Sequence, residues 1–467
     1  MSRIEGLVAG LREEDLSPFM LGQRWFGSKS REVAHVTVAE STSIREDEPG
    51  LALALVEVRF HPGTHELYHV PVGVRSGASG WSEGVIAEVD GFILYDATFD
   101  PELSAEVASL MREQRTLEAS DGATIEFRSV SEVEEELDRP SEIRPMGVEQ
   151  SNTSLVFDDK LVLKLYRRLE PGVNPELELL RFLTKRGFPN IPSLEGWAQY
   201  LGRPMDATLA TLQHFVASEG DGWKLALDSL DSLGSGPEPF LGRLRRLGEV
   251  TGAMHTVLVS DASDASFCAE EPSSEALALL VATVDEEIER VFASLPDDPA
   301  LAPIAGRGEE VRERLRLRSH VGATGRVIRH HGDYHLGQVL WADEDWVVID
   351  FEGEPARGLT ERRRKRSPLR DVAGMLRSFA YAASASELER GATPPDDWEA
   401  RARAEFVAGY VDEVDSSIIP SGQAFDRLLA LFELEKAVYE LRYELDNRPD
   451  WVRIPVAGIV RLLEDDA

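Results

Sequence analysis

The spacing of apolar residues shifts from mainly strand-like to mainly helical near residue 216, and that shift constrains the fold more than any other feature. Before it, apolar and polar residues alternate in short runs such as LALALVEVRF, separated by Gly, Pro and Ser, as in β-strands. After it, apolar residues recur at the spacing of α-helices. The sequence therefore predicts an α+β fold. Because 467 residues exceed one ordinary core, we divide the chain into residues 1–95, 96–215 and 216–467.

The composition excludes several classes of partner. The 84 acidic and 50 basic residues give a formal charge of −34, which repels nucleic acid and anionic membranes at long range. The single cysteine, Cys268, excludes an internal disulfide and a cysteine-rich metal site, as in a reducing compartment. No signal-peptide core and no run of 18 apolar residues is present. We therefore expect a cytoplasmic protein without a membrane span, a monomer or weak dimer.

Local patterns predict individual elements. Residues 3–14 and 101–115 have helical spacing. The run SNTSLVFDDKLVLKLYRR predicts two strands joined at a two-residue Asp158–Asp159 turn. A helix follows in which Asn174 is the N-cap, Pro175 the first residue and Gly187 the end. Two more strands, LEGWAQYL and DATLATLQHFV, complete the β-rich part.

The stretch HHGDYHLGQ, residues 330–338, has two chemical interpretations. Clustered histidines and an aspartate suit a zinc hydrolase, because imidazole nitrogens and carboxylates are common zinc ligands. No histidine follows His335, however, so further ligands would have to be carboxylates or upstream residues. In the other interpretation Asp333 is the base of a phosphotransferase, and the histidines position the loop.

The phosphotransferase interpretation requires several separate parts, and each is present. Gln338 follows Asp333 by five residues and offers an oxygen for Mg²⁺. Asp350 ends the apolar run WVVI and offers a second metal ligand. Lys164, in the apolar strand LVLKLY, would contact nucleotide phosphates, and the following helix supplies Glu176 or Glu178 to orient it.

In this order the parts resemble the protein-kinase-like fold, in its aminoglycoside and choline kinase branch, over residues 140–450. The resemblance implies a bilobal fold with a β-rich N-lobe (96–215, with an intermediate subdomain) and a helical C-lobe (216–467), using ATP and Mg²⁺. It favours Glu178 over Glu176. Gln338 stands where protein kinases have Asn. Two further groups would hold the nucleotide: the phosphate-covering turn GVEQSNTS, with Ser151, Asn152, Thr153 and Ser154, and the adenine hinge, with Gln213, Phe215 and Val216.

Longer stretches resemble the maltokinases: QRWFGSKSR, EQSNTSLVF, EGDGW, HGDYHLGQVL, DFEGEPARGLTERRRKRSPLRDVAGMLRSF and KAVYELRYELDNRPDWVRIP. This resemblance implies that residues 1–95 form an N-terminal cap domain. It also implies ATP-dependent phosphorylation of maltose at its anomeric hydroxyl. The product, maltose 1-phosphate, would feed α-glucan (glycogen) synthesis, and the resemblance implies an association with trehalose synthase. A related branch, which phosphorylates glucosamine, stays open as the alternative.

The sugar site is predicted on the helix LFELEKAVYELRYELDNRPDW. Glu435, Lys436 and Tyr439 would contact the sugar, together with His331 and His335 of the loop. The same helical spacing also fits ion pairs and core tyrosines, so both interpretations stay open. Asp371, at the start of a later helix, is interpreted as a support for the catalytic loop.

Overall fold

We describe a computed structural model in which residues 2–130, 140–147, 151–231, 238–319 and 324–464 are placed. The chain forms two compact units. The first comprises Met1–Lys185 and Pro192–Ala217, and the second Arg186–Ile191 and Ser218–Ala467. The mixture of strands and helices confirms the predicted α+β class.

The first unit begins with two helices and an antiparallel sheet in the order β1-β2-β3-β5-β4. A single helix over residues 3–14 had been predicted, and that prediction is wrong. Gly10 ends the first helix, whose N-terminus has a capping box between Ser2 and Glu5. The elements are α1 (Arg3–Ala9), α2 (Glu13–Gly22), β1 (Val33–Arg45), β2 (Gly50–Phe60), β3 (His65–Ser76), β4 (Val85–Val89) and β5 (Phe92–Asp96).

A second sheet of the same unit has the order β6-β7-β12-β13-β10-β9-β8, again antiparallel. The predicted helix that starts after Asn174 and the strands around it are confirmed. The elements are α3 (Pro101–Arg112), β6 (Thr116–Glu118), β7 (Thr124–Ser129), β8 (Ile143–Pro145), β9 (Asn152–Phe157), β10 (Leu161–Tyr166), β11 (Arg168–Leu169), α4 (Pro175–Lys185), β12 (Leu194–Leu201) and β13 (Ala207–His214).

The two sheets of the first unit are joined by strand pairing, by apolar packing and by an ion pair. β11 leaves the second sheet and pairs with β3 of the first. Apolar residues of both sheets share one buried cluster, which includes Leu55 and Leu165. Arg167 donates to the Asp96 carboxylate at 2.7 Å, and both side chains are only 1% exposed. The first sheet is therefore held to the second sheet by a buried ion pair as well as by apolar packing.

The second unit is mainly helical, as predicted, with one small sheet in the order β14-β15-β16. Helices α6 and α11 pack closely because Gly248 and Gly409 each face backbone of the other helix, where a Cβ would collide. Among the described residues, no helix is both long and apolar enough to cross a membrane. The elements are β14 (Gly220–Asp221), α5 (Gly222–Asp231), α6 (Glu238–Leu258), α7 (Ser274–Ala293), α8 (Gly308–Ser319), β15 (Val339–Ala342), β16 (Asp345–Val348), α9 (Leu359–Arg362), α10 (Leu369–Arg390), α11 (Trp398–Glu413), α12 (Gln423–Asn447) and α13 (Arg453–Glu464).

The buried ion pair of the first unit gives a testable prediction. Arg167→Met leaves the Asp96 carboxylate buried without its cation, so the free energy of unfolding should fall by about 3–5 kcal/mol. Arg59→Met is the matched control, because Arg59 is 61% exposed in its pair with Glu57 and such pairs contribute about 0–1 kcal/mol. Urea unfolding followed by circular dichroism measures both variants. Equal losses in the two would contradict the importance of the buried pair.

Candidate active site

The β9–β10 hairpin places Lys164. The register pairs Phe157 with Leu161, so the hairpin loop has three residues rather than the predicted two. Asp158 and Asp159 have left-handed φ of 50° and 51°, and the Lys160 amide closes the turn by donating to the Phe157 carbonyl at 2.9 Å. Side chains alternate along β10, so Leu163 and Leu165 enter the core while Lys164 and Tyr166 lie on the opposite face. The apolar pattern of LVLKLY thus fixes which face carries the lysine.

Lys164 is buried and forms an ion pair with a glutamate of α4. Its Nζ lies 2.8 Å from Glu176 Oε2, and the Tyr166 hydroxyl donates to the same oxygen at 2.7 Å. Glu176 is 1% exposed, whereas Glu178 is half-buried. The structure pairs Lys164 with Glu176, whereas the resemblance favours Glu178 for this pair. The physical reason is helix register, because two residues turn the side chain about 200° around the helix axis.

The predicted phosphate-covering residues divide between the two faces of β9. Ser154 lies opposite Lys164 in the strand register, and Asn152 lies opposite Tyr166, so both share the lysine's face. Thr153 points the other way, and its hydroxyl accepts from Arg167 Nε at 2.8 Å. Ser151 is exposed just before the strand, and residues 148–150 of the predicted turn lie outside the described residues.

The predicted adenine hinge follows the end of β13. Gln213 pairs with Val162 in the β10–β13 register, and its Oε1 is buried without a hydrogen-bond partner among the described residues. The Phe215 N–H already donates to the Lys160 carbonyl at 2.8 Å. For Phe215, only the carbonyl or the ring is then left to contact a base. Val216 is half-buried one residue further on.

In the second unit, the loop that carries Asp333 is held by the buried carboxylate of Asp371. The amides of His331 and Gly332 donate to it at 2.7 and 2.9 Å, and His255 Nε2 lies 3.1 Å from it. Burial alone would raise the pKa of Asp371, but the imidazoles of His330 and His255 hold it well below its usual range. The predicted supporting role of Asp371 is confirmed by these hydrogen bonds.

The imidazole nitrogens of His331 are both used inside the loop. Nε2 lies 2.9 Å from the Ile349 carbonyl, which can only accept, so Nε2 carries the proton. Nδ1 accepts from the Asp333 amide at 3.3 Å. His331 is also 1% exposed. These contacts favour its positioning role over the predicted sugar contact, and they leave no nitrogen for a zinc ion.

The other two histidines of the HHGDYHLGQ motif, His330 and His335, differ from His331 in their contacts. Burial lowers the pKa of His330 to about 4, so the ring is neutral at neutral pH. His335 Nδ1 accepts from the Gly337 amide at 3.1 Å, and its Nε2 lies 4.0 Å from Asp333 Oδ2. Burial also lowers the pKa of His335. The three rings therefore frame the loop around Asp333 separately, which does not support the metallohydrolase interpretation.

The β15–β16 hairpin brings Gln338 and Asp350 together. Val339 pairs with Val348, so the residues just outside this pair meet at the open end of the hairpin. There Gln338 Nε2 donates to Asp350 Oδ2 at 3.0 Å. Asp350 has a φ of 60°, a left-handed conformation that costs about 1–3 kcal/mol and is common at functional sites. A carboxylate beside a carboxamide suits a hard cation that prefers oxygen ligands, so the pair fits Mg²⁺.

A cavity of about 240 Å³ opens beside Asp333; we call it the Asp333 cavity. The predicted sugar contacts Glu435, Lys436 and Tyr439 of α12 all line it. Sequence reasoning missed the opposite wall, which comes from the segment after Asp350 and from α10. It carries Glu354, Arg357, Glu361, Arg366 and Arg370.

Most charges that line the Asp333 cavity neutralise one another. Four of its carboxylates pair with arginines of the same cavity: Glu354 with Arg357, Glu361 with Arg357 and Arg366, Glu435 with Arg370, and Glu287 with Arg442. Asp333 has no arginine or lysine partner within 4.0 Å in the described part of the chain. Lys436 has no carboxylate partner there either, and its Nζ lies 5.6 Å from the centre of the Tyr439 ring. Among the described lining residues, Asp333 and Lys436 thus have no oppositely charged Arg, Lys, Asp or Glu partner, and the buried Asp371 is bound instead by His255 and two loop amides.

A second cavity, of about 350 Å³, adjoins the first; we call it the Trp223 cavity. The two share Tyr334, Gly374 and Lys436. His335 lines the Trp223 cavity, so this predicted sugar contact is separated from the α12 residues Glu435 and Tyr439.

Comparison with known proteins agrees with this arrangement. The maltokinase N-terminal cap domain matches residues 19–100, and the phosphotransferase enzyme family matches residues 142–407. The chain is 26% identical over 335 residues to a glucosamine kinase of Streptacidiphilus jiangxiensis (69% of this chain, 74% of the relative). It is 26% identical over 330 residues to a glucosamine kinase of Mycolicibacterium smegmatis (strain ATCC 700084 / mc(2)155) (69% and 80%).

One solved structure has the same fold over its full length. It is a glucosamine kinase in complex with glucosamine, ADP and inorganic phosphate, with a TM-score of 0.72, 20% identity and 99% of each chain covered. The phosphotransferase match spans more than half of this chain. The chain therefore belongs to the phosphotransferase enzyme family and carries the maltokinase N-terminal cap domain ahead of its phosphotransferase domain.

Proposed function

We propose that this protein is a maltokinase, which transfers the γ-phosphoryl group of ATP to the anomeric hydroxyl of maltose. The charge of the Asp333 cavity is the observation that carries the choice of a neutral sugar. The ammonium group of an amino sugar would be bound best by a free carboxylate, yet the cavity glutamates Glu287, Glu354, Glu361 and Glu435 each already bind an arginine, and Asp333 is reserved for the proposed role of base. The ammonium of Lys436 would also repel a cationic substrate.

Asp333 is proposed as the base. Its loop is fixed by Asp371, and among the described residues its carboxylate has no arginine or lysine within 4.0 Å, so it is able to accept the proton of the attacking hydroxyl. Burial lowers the pKa of its neighbour His335, which disfavours a charged imidazole beside that carboxylate. The hydroxyl oxygen then attacks the γ-phosphorus, the bond to the ADP oxygen breaks, and maltose 1-phosphate and ADP leave.

The remaining residues are proposed to hold the nucleotide. Lys164, oriented by Glu176, would neutralise phosphate charge, and Ser154 and Asn152 on the same face would donate to phosphate oxygens. Asp350 and Gln338 would hold Mg²⁺, which neutralises charge on the transferred group when it is bound. Main-chain groups of residues 213–216 would pair with adenine.

The cellular role follows from the product. Maltose 1-phosphate is an activated disaccharide that would supply α-glucan synthesis in the cytoplasm. The proposed association with trehalose synthase would provide maltose at its source.

Glucosamine kinase is the second candidate. The names of the two curated relatives favour it, since both act on glucosamine by name. The paired carboxylates of the Asp333 cavity support maltose instead. The cap domain does not separate the two candidates, because a glucosamine kinase structure matches 99% of this chain, the cap region included.

A sugar panel tests the proposed substrate. ADP release should be measured with ATP and Mg²⁺ in the presence of maltose, glucose, glucosamine or no sugar. We expect kcat/KM to be at least about tenfold higher for maltose than for glucosamine, because one unfavourable charge contact of about 1.4 kcal/mol corresponds to that factor. Turnover of glucosamine with none of maltose would replace our proposal with the second candidate.

Substitution of the proposed base tests the mechanism. Asp333→Asn keeps the size of the side chain but removes its ability to accept a proton, so kcat should fall by about 10²–10⁴-fold. The KM for ATP should change little, because the proposed nucleotide contacts are elsewhere. Asp343→Asn is the matched control, since Asp343 is an exposed turn residue with a φ of 49° that Asn tolerates. If both variants retain the parent turnover, Asp333 is not the base.

A further inference from the structure

Besides the buried Tyr334, the Trp223 cavity has three aromatic side chains in its wall that the mechanism does not use. Trp223, Tyr381 and Trp451 line it, and each is half-buried, so part of each ring is accessible. They come from α5, α10 and the turn before α13. Half-buried aromatic rings present a flat apolar surface to a ligand and lose little conformational entropy when it binds. Such rings commonly line binding sites.

Two of these rings are held in a fixed orientation. The Tyr381 and Trp451 rings stack with centroids 6.2 Å apart and an interplanar angle of 24°. The Tyr381 hydroxyl donates to Glu444 Oε1 at 3.0 Å, and the Arg448 guanidinium lies 4.8 Å from the centre of the Trp451 ring. Burial raises the pKa of Tyr381, so its hydroxyl stays protonated and this hydrogen bond persists. The stacked Tyr381 and Trp451 rings, which we call the aromatic platform, therefore need little reorganisation to receive a ligand.

Trp223 is positioned by the catalytic loop itself. The preceding residue, Gly222, packs so closely that a Cβ there would lie 2.8 Å from the Leu336 carbonyl oxygen. Leu336 follows Asp333 by three residues, and α5 starts at Gly222. Glycine at 222 thus permits the first turn of α5 to approach the loop, and this approach places the Trp223 ring beside it.

Polar groups surround the aromatic platform at the junction of the two cavities. Lys436 lines both cavities, and its ammonium group has three donors and no carboxylate partner within 4.0 Å among the described residues. Glu440 and Arg448 line the Trp223 cavity. Flat apolar faces with hydrogen-bonding groups at their edges match a sugar ring, which has apolar C–H faces and hydroxyls around its rim.

We propose that the acceptor site has two ring subsites, and that the Trp223 cavity holds the second ring of a disaccharide. This inference rests on the proposed function and names the part of the site that selects for two rings. The reducing ring lies in the Asp333 cavity with its anomeric hydroxyl at the base. The non-reducing ring lies against Trp223, and Lys436 donates to oxygens near the glycosidic bond. The enzyme thereby favours an uncharged disaccharide over a single sugar.

Removal of the Trp223 ring tests the assignment. In Trp223→Ala, KM for maltose should rise by about tenfold or more, as for a buried aromatic anchor, while kcat/KM for glucose stays within about twofold. Trp223→Phe keeps an aromatic face and should restore most of the affinity for maltose. Trp81→Ala is the matched control, because Trp81 is a half-buried tryptophan of the first unit that lines neither cavity. It should leave both acceptors unchanged.

The outcomes separate the inference from the proposed function. If the wild type uses maltose and Trp223→Ala lowers kcat/KM equally for maltose and glucose, or changes neither, the two-subsite assignment is wrong and the maltokinase proposal survives. If the wild type uses glucosamine and not maltose, both are wrong. Thermal unfolding of each variant shows whether it is folded. If Trp223→Ala is not, the comparison of Trp223→Phe with Trp223→Leu on the two acceptors decides in the same way.

Discussion

The candidate site depends on one buried carboxylate, that of Asp371. Two successive backbone amides of the catalytic loop donate to it, and the buried His255 contacts it from α6. Charge-assisted hydrogen bonds of this kind are about twice as strong as neutral ones. Since Asp371 is 2% exposed, water cannot replace either amide. These hydrogen bonds therefore fix the conformation of the loop, and Asp333 lines the cavity.

Electrostatic balance constrains the proposed binding of an anionic nucleotide by such an acidic chain. Its formal charge of −34 opposes phosphate binding at long range. Within about 10 Å, however, local charges dominate because salt screens the distant ones. Lys164 is buried beside Glu176 on one face of a hairpin, and the cavity glutamates are neutralised by arginines. In the Asp333 cavity, Asp333 and Lys436 thus remain without an ion-pair partner among the described residues, and the proposed mechanism uses Asp333 as the base and Lys436 as a sugar contact.

The local parts of the site could be predicted from the sequence, because short-range rules place them. The Asp158–Asp159 turn and the Asn174 cap follow from local residue preferences, and they put Lys164 on a strand ahead of α4. Gln338 and Asp350 flank a short hairpin, so their meeting follows from its register. The predicted helix over residues 3–14 failed at Gly10, where the backbone leaves α1.

Parts that depend on packing between distant segments could not be predicted. Glu176 and Glu178 both suit the pair with Lys164 by sequence, and only the rotation of α4 against β10 selects Glu176. Trp223, Tyr381 and Trp451 are far apart along the chain and meet through the packing of α5, α10 and the segment before α13. The contacts of His331 could not be predicted from the sequence either, because one of its ring nitrogens contacts the Ile349 carbonyl, which lies on a later segment of the chain.

The most direct test of this account is the turnover of Asp371→Asn. The substituted amide can accept from one loop amide but presents N–H to the other, so the loop should shift and misplace Asp333. We predict that kcat falls by about a hundredfold, the loss that a displacement of about 1 Å produces, while the KM for ATP stays within about twofold and the far-ultraviolet circular dichroism is unchanged. Parent turnover in a folded Asp371→Asn protein would contradict the claim that this carboxylate sets the catalytic loop.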